Sequence, residues 1–490
     1  MLFNSAHFLV FFPIVILINF VLPQRVRFYW LLAASYYFYM SWNPKYIVLL
    51  IFSTAVTYAS GRLLERFSGT AVRKLVVAMS FLLNLGVLFY FKYVGMAADI
   101  LVKVLAKLHV SLTVPSFDVV LPVGISFFTF QALSYTVDVY RGEIYAEKNI
   151  FRYALYVSFF PQLVAGPIER SKNLLKQLAV PKPFDFERAR DGFLLMLWGY
   201  FLKLVLADRI AIVVNTVYNH HTEYQGWYFI VATVLFAFQI YCDFAGYSTI
   251  AIGAAKILGV RLMENFDAPY TAQSVAEFWR RWHISLTSWF RDYLYIPLGG
   301  NRKGKLRKNA NRLIVFLASG LWHGASIHFV VWGGINGLYQ IIGETLMPLR
   351  ERLVKLLRLN PESFGFRLYK TAVTFVLVDL SWVYFRADGF RTANTIVRSI
   401  VTASNPWILL DGSLFELGLD SNNFSLMMFA ILLLLMVDIA KRLGITIREK
   451  IAAQDYLFRW LFIASAIVFI LIFGVWGPGY SAANFIYFQF

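Results

Sequence analysis

The stretch NANRLIVFLASGLWHGASIHFVVWGGINGLY, residues 309–339, places a histidine in the middle of an almost entirely apolar run. After Arg312 no charged side chain occurs until Glu344. Because a helix rises about 1.5 Å per residue, His323 is expected roughly 16 Å beyond Arg312, near the centre of a hydrocarbon layer about 30 Å thick. An ionisable ring at that depth is costly and is seldom kept without a use. The pattern therefore predicts that His323 is a functional residue of a membrane protein.

The competing interpretation of His323 is a hydrogen-bonded filler of a buried core. Location in lipid favours the functional interpretation, because intramembrane ionisable groups usually serve ion, proton or substrate chemistry. Gly320 and Gly324 flank the histidine four residues apart, and small residues at this spacing let another backbone approach closely. His328 lies five residues further on and projects from a different helical face, so it is the weaker candidate.

The composition indicates a membrane protein. The chain has 490 residues, of which 59% are hydrophobic and 15% charged, against about 25% charged in soluble domains. The net charge of +18 is attributed to basic cytoplasmic loops and not to nucleic-acid binding. The single cysteine, Cys242, excludes an intramolecular disulfide and a multi-cysteine metal site, and no metal site is predicted. Residues 8–22 are interpreted as a first span and not as a cleavable signal, because no basic region precedes them.

Apolar stretches recur along the whole length and predict an all-α, polytopic bundle. Several are shorter than the ~20 residues of a full span, so broken, tilted or re-entrant helices are expected among about a dozen membrane segments. Neither a soluble domain nor an internal repeat is recognisable, and the chain is interpreted as one transmembrane domain, 1–490. The stretches lie near residues 8–22, 28–41, 46–60, 75–92, 119–137, 151–166, 192–207, 210–218, 227–247, 313–326, 327–343, 371–385, 424–439 and 459–474.

Lysine and arginine placement predicts the orientation, because cytoplasmic loops carry an excess of both. The acidic segment 404–423 and the uncharged tail 476–490 should lie outside, so both termini are expected to be extracytoplasmic. Arg386, Arg391 and Arg398 do not fit this orientation, because they fall on the outer side. An interfacial amphipathic helix over 386–398 would accommodate them. The basic segments assigned to the cytoplasm are 62–74, 170–190, 261–312, 350–370 and 442–450.

The segment 272–295 combines aromatic residues at helical spacing with arginines, and a Gly-rich basic loop follows it to residue 312. This pattern predicts an interfacial helix and loop on the cytoplasmic side, within 261–312. One interpretation is membrane-surface anchoring by aromatic side chains and anionic lipids. The other is a mouth that receives an anionic acyl carrier, whose phosphates Arg and Lys would bind. Anchoring alone does not explain His283 in the middle of the tryptophan cluster, and the two interpretations are compatible.

Two acidic residues have structural interpretations. Asp243, in FAFQIYCDFAGY at 236–247, either orients a His or Arg or makes a helix-to-helix hydrogen bond, and the structural role is favoured. Glu169, in VAGPIER, is interpreted as part of a loop turn. The nucleophile elbow, the phosphate-binding loop and the HExxH zinc motif are absent from the sequence, which leaves His283 and His323 as the chemical candidates.

Two motifs carry a family resemblance. FWRRWHISLTSWFRDYLYIPLGGNR at 278–302 and LWHGASIHFVVWGGINGLY at 321–339 resemble the membrane-bound O-acyltransferase superfamily, in the branch of alginate O-acetylation and D-alanyl teichoic-acid transfer. Further matching pieces extend the resemblance over nearly the full length. They are LPVGISFFTFQALSYTVDVYRG at 121–142, FFPQLVAGPIER at 159–170, QIYCDFAGYSTIAIGAAKILG at 239–259, WVYFRAD at 382–388 and FIYFQF at 485–490.

The resemblance implies site residues and an acyl relay. The family's invariant histidine matches His323, and the second active-site position, which is Asn in eukaryotic members, matches His283. A central tunnel would join a cytoplasmic donor to an extracytoplasmic acceptor. Trp282, Arg280, Arg281, Trp322 and Asp243 are assigned to substrate or donor binding. No bound cofactor is expected; the substrate would be an acyl thioester, either acetyl-CoA or an acyl carrier phosphopantetheine.

The resemblance also implies partners and a location. The location is the lipid bilayer of a bacterial inner membrane. One partner is an extracytoplasmic acetyltransferase whose catalytic serine receives the acyl group and which esterifies a polysaccharide such as alginate. A second potential partner is an acyl carrier protein on the cytoplasmic side, and nucleic acid is not expected. His323 would act as general base or orient the acceptor hydroxyl, and its apolar surroundings should keep the imidazole neutral. The alternatives are D-alanyl transfer to teichoic acid, peptidoglycan O-acetylation, lipid modification of a secreted protein, and a transporter of polysaccharide or acyl carrier.

Overall fold

The structure, a computed structural model, describes residues 1–109, 121–475 and 486, and every regular element within these ranges is helical. The all-α prediction is therefore confirmed. The helices are α1 Ala6–Val21, α2 Arg27–Met40, α3 Ile47–Arg66, α4 Thr70–Lys92, α5 Val94–Lys107, α6 Ile125–Tyr140, α7 Ile150–Ser158, α8 Phe160–Leu163, α9 Ser171–Ala179, α10 Phe186–Tyr200, α11 Asp208–Asn219, α12 Trp227–Ile257, α13 Val275–Arg281, α14 Ile284–Phe290, α15 Gly304–His323, α16 Ile327–Thr345, α17 Met347–Leu356, α18 Phe364–Arg386, α19 Phe390–Thr402, α20 Ser421–Arg442, α21 Ile447–Ala452 and α22 Tyr456–Phe473.

Two π-helical segments continue neighbouring α-helices. Phe201–Ala207 joins α10 to α11, and Arg291–Tyr295 follows α14. Such segments are rare and often occur at functional sites. Short 3-10 turns at Pro44–Tyr46, Pro269–Thr271, Pro406–Leu409 and Ser413–Glu416 complete the regular structure of the described residues.

Six helices in the described part of the chain are long and apolar enough to cross a bilayer, and the shorter apolar helix α1 accompanies them. The chain is a multi-pass membrane protein, as the composition predicted. The count of about a dozen segments stays a prediction, because the remaining helices are shorter or more polar than a full span requires. The six helical stretches are Pro44–Arg66, Thr70–Lys92, Trp227–Ile257, Phe364–Arg386, Ser421–Arg442 and Tyr456–Phe473.

The chain divides into two compact units. The first comprises Met1–Met196 and Ser248–Met263, and the second comprises Leu197–Tyr247 and Glu264–Phe490. His283 and His323 both belong to the second unit. The interpretation of residues 1–490 as one domain stays a prediction, because compactness alone does not show that a unit folds independently.

Residues 309–339 lie in a helical hairpin that α15 and α16 form. Gly324 adopts an extended conformation (φ −159°, ψ 150°) that ends α15, and Ser326 (φ −149°, ψ 150°) precedes α16. A Cβ atom added at Gly320 would collide with the Phe329 carbonyl, and one added at Gly324 would collide with the Phe329 ring. The predicted close approach of another backbone is therefore present at Gly320, whereas a side-chain ring and not a backbone lies against Gly324. The approach at Gly320 packs α16 directly against the turn of α15 that precedes His323.

Adjacent glycines of α16 provide a test of this packing. A Cβ atom at Gly333 would collide with the Phe316 carbonyl, whereas one at Gly334 would make an ordinary contact with the Leu317 side chain at 3.5 Å. Both alanine substitutions gain similar helix propensity, about 1 kcal/mol. Gly333→Ala is nevertheless expected to destabilise the fold by about 1–3 kcal/mol through overpacking. Denaturation of the two variants in detergent measures the difference, and equal stability would contradict close packing of the hairpin.

Two sequence interpretations require correction. The segment 272–295 is not one helix but α13, a break at Trp282–His283, α14 and a π-helical turn. The segment 386–398 does contain a helix, α19, but its apolar residues Ala393 and Ile396 are buried in the protein core. Protein therefore covers these two side chains, whereas Phe390 is 41% exposed, and the interfacial position of this segment stays a prediction. The basic segment 350–370, read as a loop, contains α17. The tail 476–490 lies outside the described residues except for Ile486.

Candidate active site

His283 occupies the break between α13 and α14. Ser274 caps α13 by accepting a hydrogen bond from the Glu277 backbone N–H at 3.1 Å. The His283 backbone is left-handed, with φ 43° and ψ 54°. A non-glycine residue in this region costs about 1–3 kcal/mol, and such residues cluster at functional sites. The buried Asn265 carbonyl holds the break by accepting the Ile284 N–H at 2.9 Å.

The His283 side chain is 1% exposed and lies among aromatic rings. Its ring centroid is 4.6 Å from that of Phe244 and 6.1 Å from that of Trp322, both in edge-on geometry. His283 lies outside the six candidate spans. Burial lowers the pKa of His283 to about 3, so this imidazole is uncharged at neutral pH. A neutral imidazole carries one N–H donor and one ring-nitrogen acceptor, and it can therefore polarise a neighbouring group without carrying a charge.

His323 is the last residue of α15 and is 6% exposed. Three aromatic rings surround it: Trp322 at 4.9 Å, Trp332 at 5.1 Å and Phe385 at 5.3 Å between centroids. The sequence predicted a histidine in apolar surroundings, and the structure provides an aromatic box for it. With a relative exposure of 6%, little of the imidazole is accessible in this conformation.

Trp322 contacts both histidines. Its ring is edge-on to His283 and to His323, so one indole is a neighbour of both imidazoles. Trp382 extends the aromatic cluster, stacking on Trp332 at 5.7 Å and contacting Trp282 at 5.1 Å. Sequence reasoning identified His283, His323, Trp282 and Trp322 but did not identify Trp332 or Trp382. The helical spacing of the aromatics in α16 and α18 gives no indication that Trp332 contacts His323 or that Trp382 packs on Trp332.

The aromatic side chains of α13 and α14 are buried in protein. Phe278, Trp279, Trp289 and Phe290, together with Trp282 in the break between the helices, are all nearly inaccessible. Because these rings contact other side chains of the second unit, they are not available to a lipid surface as an aromatic belt. The anchoring interpretation of 272–295 was therefore wrong for these residues, and the arginines between them must be considered separately.

Arg280 and Arg281 have different surroundings. Arg281 binds the Asp267 carboxylate at 2.6 Å and the Glu277 carboxylate at 2.9 Å, which fixes it as a structural residue of α13. Arg280 is exposed and has no ion pair with any residue that the structure describes. Of the two arginines assigned to the donor, Arg280 is the one whose guanidinium is available to an anionic ligand.

Asp243 belongs to a buried ion cluster that the sequence did not reveal. The Lys203 ammonium lies 2.8 Å from the Asp208 carboxylate and 2.7 Å from the Asp243 carboxylate, and Lys203 is 1% exposed. Asp243 also accepts the Ile486 backbone N–H at 2.8 Å. This geometry agrees with the favoured structural role of Asp243. The next residue along α12, Phe244, contacts the His283 ring, so the cluster supports the wall of the site.

Hydrogen bonds account for two further residues considered in the sequence, His328 and Glu169. The His328 Nδ1 atom and the Ser326 hydroxyl form a hydrogen bond of 2.8 Å. This bond gives His328 a structural role. Glu169 lies in a loop as predicted, but its carboxylate is buried and accepts hydrogen bonds from Asn173 at 2.7 Å and from the Met263 N–H. Burial raises the pKa of Glu169, whereas these hydrogen bonds lower it. Within the described ranges, no three His, Cys, Asp or Glu side chains group together as metal ligands.

Comparison with known proteins identifies the family. Residues 125–361 match the membrane-bound O-acyltransferase family. The chain is 36% identical over 400 residues to the probable alginate O-acetylase of Pseudomonas syringae pv. tomato. The aligned region covers 80% of this chain and 74% of that relative. The chain is 30% identical over 439 residues to the peptidoglycan O-acetyltransferase of Helicobacter pylori, covering 82% and 80%. Identity to the teichoic acid D-alanyltransferase of Bacillus subtilis is 25% over 290 residues, covering 56% and 71%. The chain thus belongs to the membrane-bound O-acyltransferase family and is a membrane acyltransferase.

Proposed function

We propose that this chain is an O-acetyltransferase that passes an acetyl group from a cytoplasmic thioester to an extracytoplasmic partner. The partner carries a catalytic serine and esterifies an exported or cell-surface polysaccharide such as alginate. The similarity to relatives named for O-acetylation spans 80% or more of this chain, whereas similarity to the D-alanyltransferase spans 56%. The enzyme resides in a bacterial inner membrane with both termini on the outer side, a placement supported by the distribution of lysine and arginine.

The observation that carries the proposal is the pair of buried imidazoles that both neighbour the Trp322 indole. The thioester is either acetyl-CoA or an acylated phosphopantetheine on a carrier protein. The exposed Arg280 binds its phosphates, and Trp282 and Trp322 provide the apolar wall along which the acyl arm lies. Asp243 acts indirectly, by holding α12 and thereby Phe244 against His283.

His323 acts as general base on the acceptor. It removes the proton of the acceptor hydroxyl as the oxygen attacks the thioester carbonyl carbon. A C–O bond forms, the C–S bond breaks, and the proton passes to the departing thiolate, so that an ester and a thiol result. His283, uncharged at neutral pH, donates its N–H to the carbonyl oxygen as negative charge develops there. The aromatic box excludes water and limits hydrolysis of the thioester. The acyl group crosses by way of a tunnel that opens when the rings around His323 move.

The function can be tested by removing the gene and restoring it on a plasmid. Ester-linked acetate and D-alanine are released by mild alkali from the cell envelope and exported polymers, and total polysaccharide is measured in the same samples. We expect ester acetate to disappear and to return with the wild-type gene, while D-alanine esters and polysaccharide quantity stay unchanged. Loss of D-alanine with normal acetate would favour teichoic-acid transfer. Loss of exported polysaccharide itself would favour the transporter.

A further inference from the structure

The helix α17 exposes its complete apolar face. No residue of α17 is buried. Five leucines within and beside the helix fall within about 100° of its circumference at 3.6 residues per turn. These are Leu346, Leu349, Leu353, Leu356 and Leu357, which are between 43% and 77% exposed. A continuous leucine face of this kind requires a covering that the described residues of the chain do not provide.

The remaining surface of α17 forms a basic face. Lys355 lies opposite the leucines, Arg350 and Arg352 flank them on the two sides, and Arg358 follows the helix, against a single acidic residue, Glu351. All four basic side chains are exposed, and none of them forms an ion pair within the part of the chain that the structure describes. An amphipathic helix with leucines on one face and basic residues on the other is typical of segments that lie in the headgroup region of a bilayer.

The position of α17 in the chain fits a bilayer surface. The candidate span α18 begins at Phe364, eight residues after α17 ends at Leu356. The first turns of α18 expose further large apolar side chains, namely Phe364, Leu368 and Tyr369. The apolar surface of α17 therefore leads along the chain into that of a spanning helix, which places α17 where the chain enters the apolar layer.

We propose that α17 is an anionic-lipid-binding helix that lies along the membrane surface. Its leucines enter the boundary between headgroups and acyl chains, and its four basic residues bind lipid phosphates. Charge complementarity identifies the occupant, because the cytoplasmic leaflet carries anionic lipids that attract juxtamembrane basic segments. A second copy of the chain would match the leucines but not the four like charges around them.

This attachment has a consequence for the candidate site. Glu344, near the end of α16, binds Lys308 and Arg312 of α15, and the Arg312 contact measures 2.8 Å. Because α17 begins two residues after α16 ends, anchoring α17 at the surface fixes the depth of the α15–α16 hairpin and of His323 within it.

The test uses the full-length chain in nanodiscs with a spin label on either face of α17. Leu353→Cys reports the leucine face and Lys355→Cys the basic face. Cys242 is buried, so the unsubstituted chain measures background labelling. With phosphatidylglycerol present, we expect the Leu353 label to collide more with oxygen and less with a water-soluble nickel complex than the Lys355 label does. Replacing phosphatidylglycerol by phosphatidylcholine should make the Leu353 label shallower.

A charge-neutral variant completes the test. Glutamine at Arg350, Arg352 and Arg358 in the Leu353→Cys chain should abolish the response to phosphatidylglycerol while leaving the membrane-spanning helices intact. Equal access of the nickel complex to both faces would overturn the proposal, since α17 would then lie in water. An immobile Leu353 label that neither collider reaches would also overturn it, because a protein surface would then cover the leucines. Depth that does not respond to anionic lipid would refute the role of the basic face.

Discussion

Replacing His323 with alanine is expected to lower acetyl transfer by about 10²–10⁴-fold, the range that a positioned general acid–base group contributes. α15 places the imidazole among the rings of Trp322, Trp332 and Phe385, and unlike the indole N–H groups beside it, the imidazole can take up a proton. Without it, the acceptor hydroxyl keeps its proton and attacks the thioester poorly. The measurement is alkali-released acetate from cells that carry the variant in place of the wild-type gene, with membrane abundance measured by immunoblot.

Alanine at this position also removes a ring from an aromatic box, and a packing defect must be separated from a chemical one. His323→Gln fills more of the space and retains hydrogen bonding, but it cannot take up a proton at neutral pH. It should remain inactive while unfolding at a temperature near that of the wild type. His328→Ala is the matched control, because His328 is a buried histidine of the same hairpin that bonds to Ser326. That variant should retain acetylation. Normal acetate with either His323 variant would remove His323 from the mechanism.

The hairpin was predictable because its sequence carries local information. An uninterrupted apolar run predicts membrane helices, and the glycines around His323 indicate both the close approach and the end of α15. The two segments read from sequence, 313–326 and 327–343, correspond to α15 and α16. The predicted stretch 313–326 did not include the basic first half of α15, because a search for apolar residues omits a helical segment that is rich in lysine and arginine.

The break at His283 was not predictable from spacing. Aromatic residues recur at helical intervals through α13 and α14. This spacing gives no indication that one residue between the two helices, His283, has a left-handed backbone. The break depends on Asn265, nineteen residues before Ile284, whose carbonyl accepts the Ile284 N–H. A hydrogen bond between distant residues leaves no periodic trace in a sequence.

The amphipathic helices show a related difficulty. Two segments, 272–295 and 386–398, were interpreted as interfacial, yet most of their apolar side chains are buried in protein, with Phe390 as an exception. The exposed leucine face lies instead in α17, within a segment read as a basic loop. Periodicity indicates that one face is covered, but whether protein or lipid covers it depends on tertiary packing.

Replacing Lys203 with methionine is expected to destabilise the protein by about 3–5 kcal/mol, because two carboxylates would remain buried without their cation. Lys203 is a single charged residue within the apolar stretch 192–207, and its partners lie five and forty residues away, so the sequence gives no sign of the cluster. Methionine preserves most of the side-chain volume. The loss should therefore reflect electrostatics and not a cavity, and unfolding in a detergent-denaturant mixture measures it.

Two further variants separate the causes. The neutral triple variant Lys203→Met, Asp208→Asn, Asp243→Asn should recover most of the lost stability, because no buried charge remains and an amide can still accept the Ile486 N–H. Lys308→Met removes a partly exposed ion pair with Glu344 and should cost at most about 1 kcal/mol. If the triple variant were as unstable as Lys203→Met, packing around Lys203 and not its charge would hold the π-helical segment. In that case Asp243 would not be the residue that keeps Phe244 against His283.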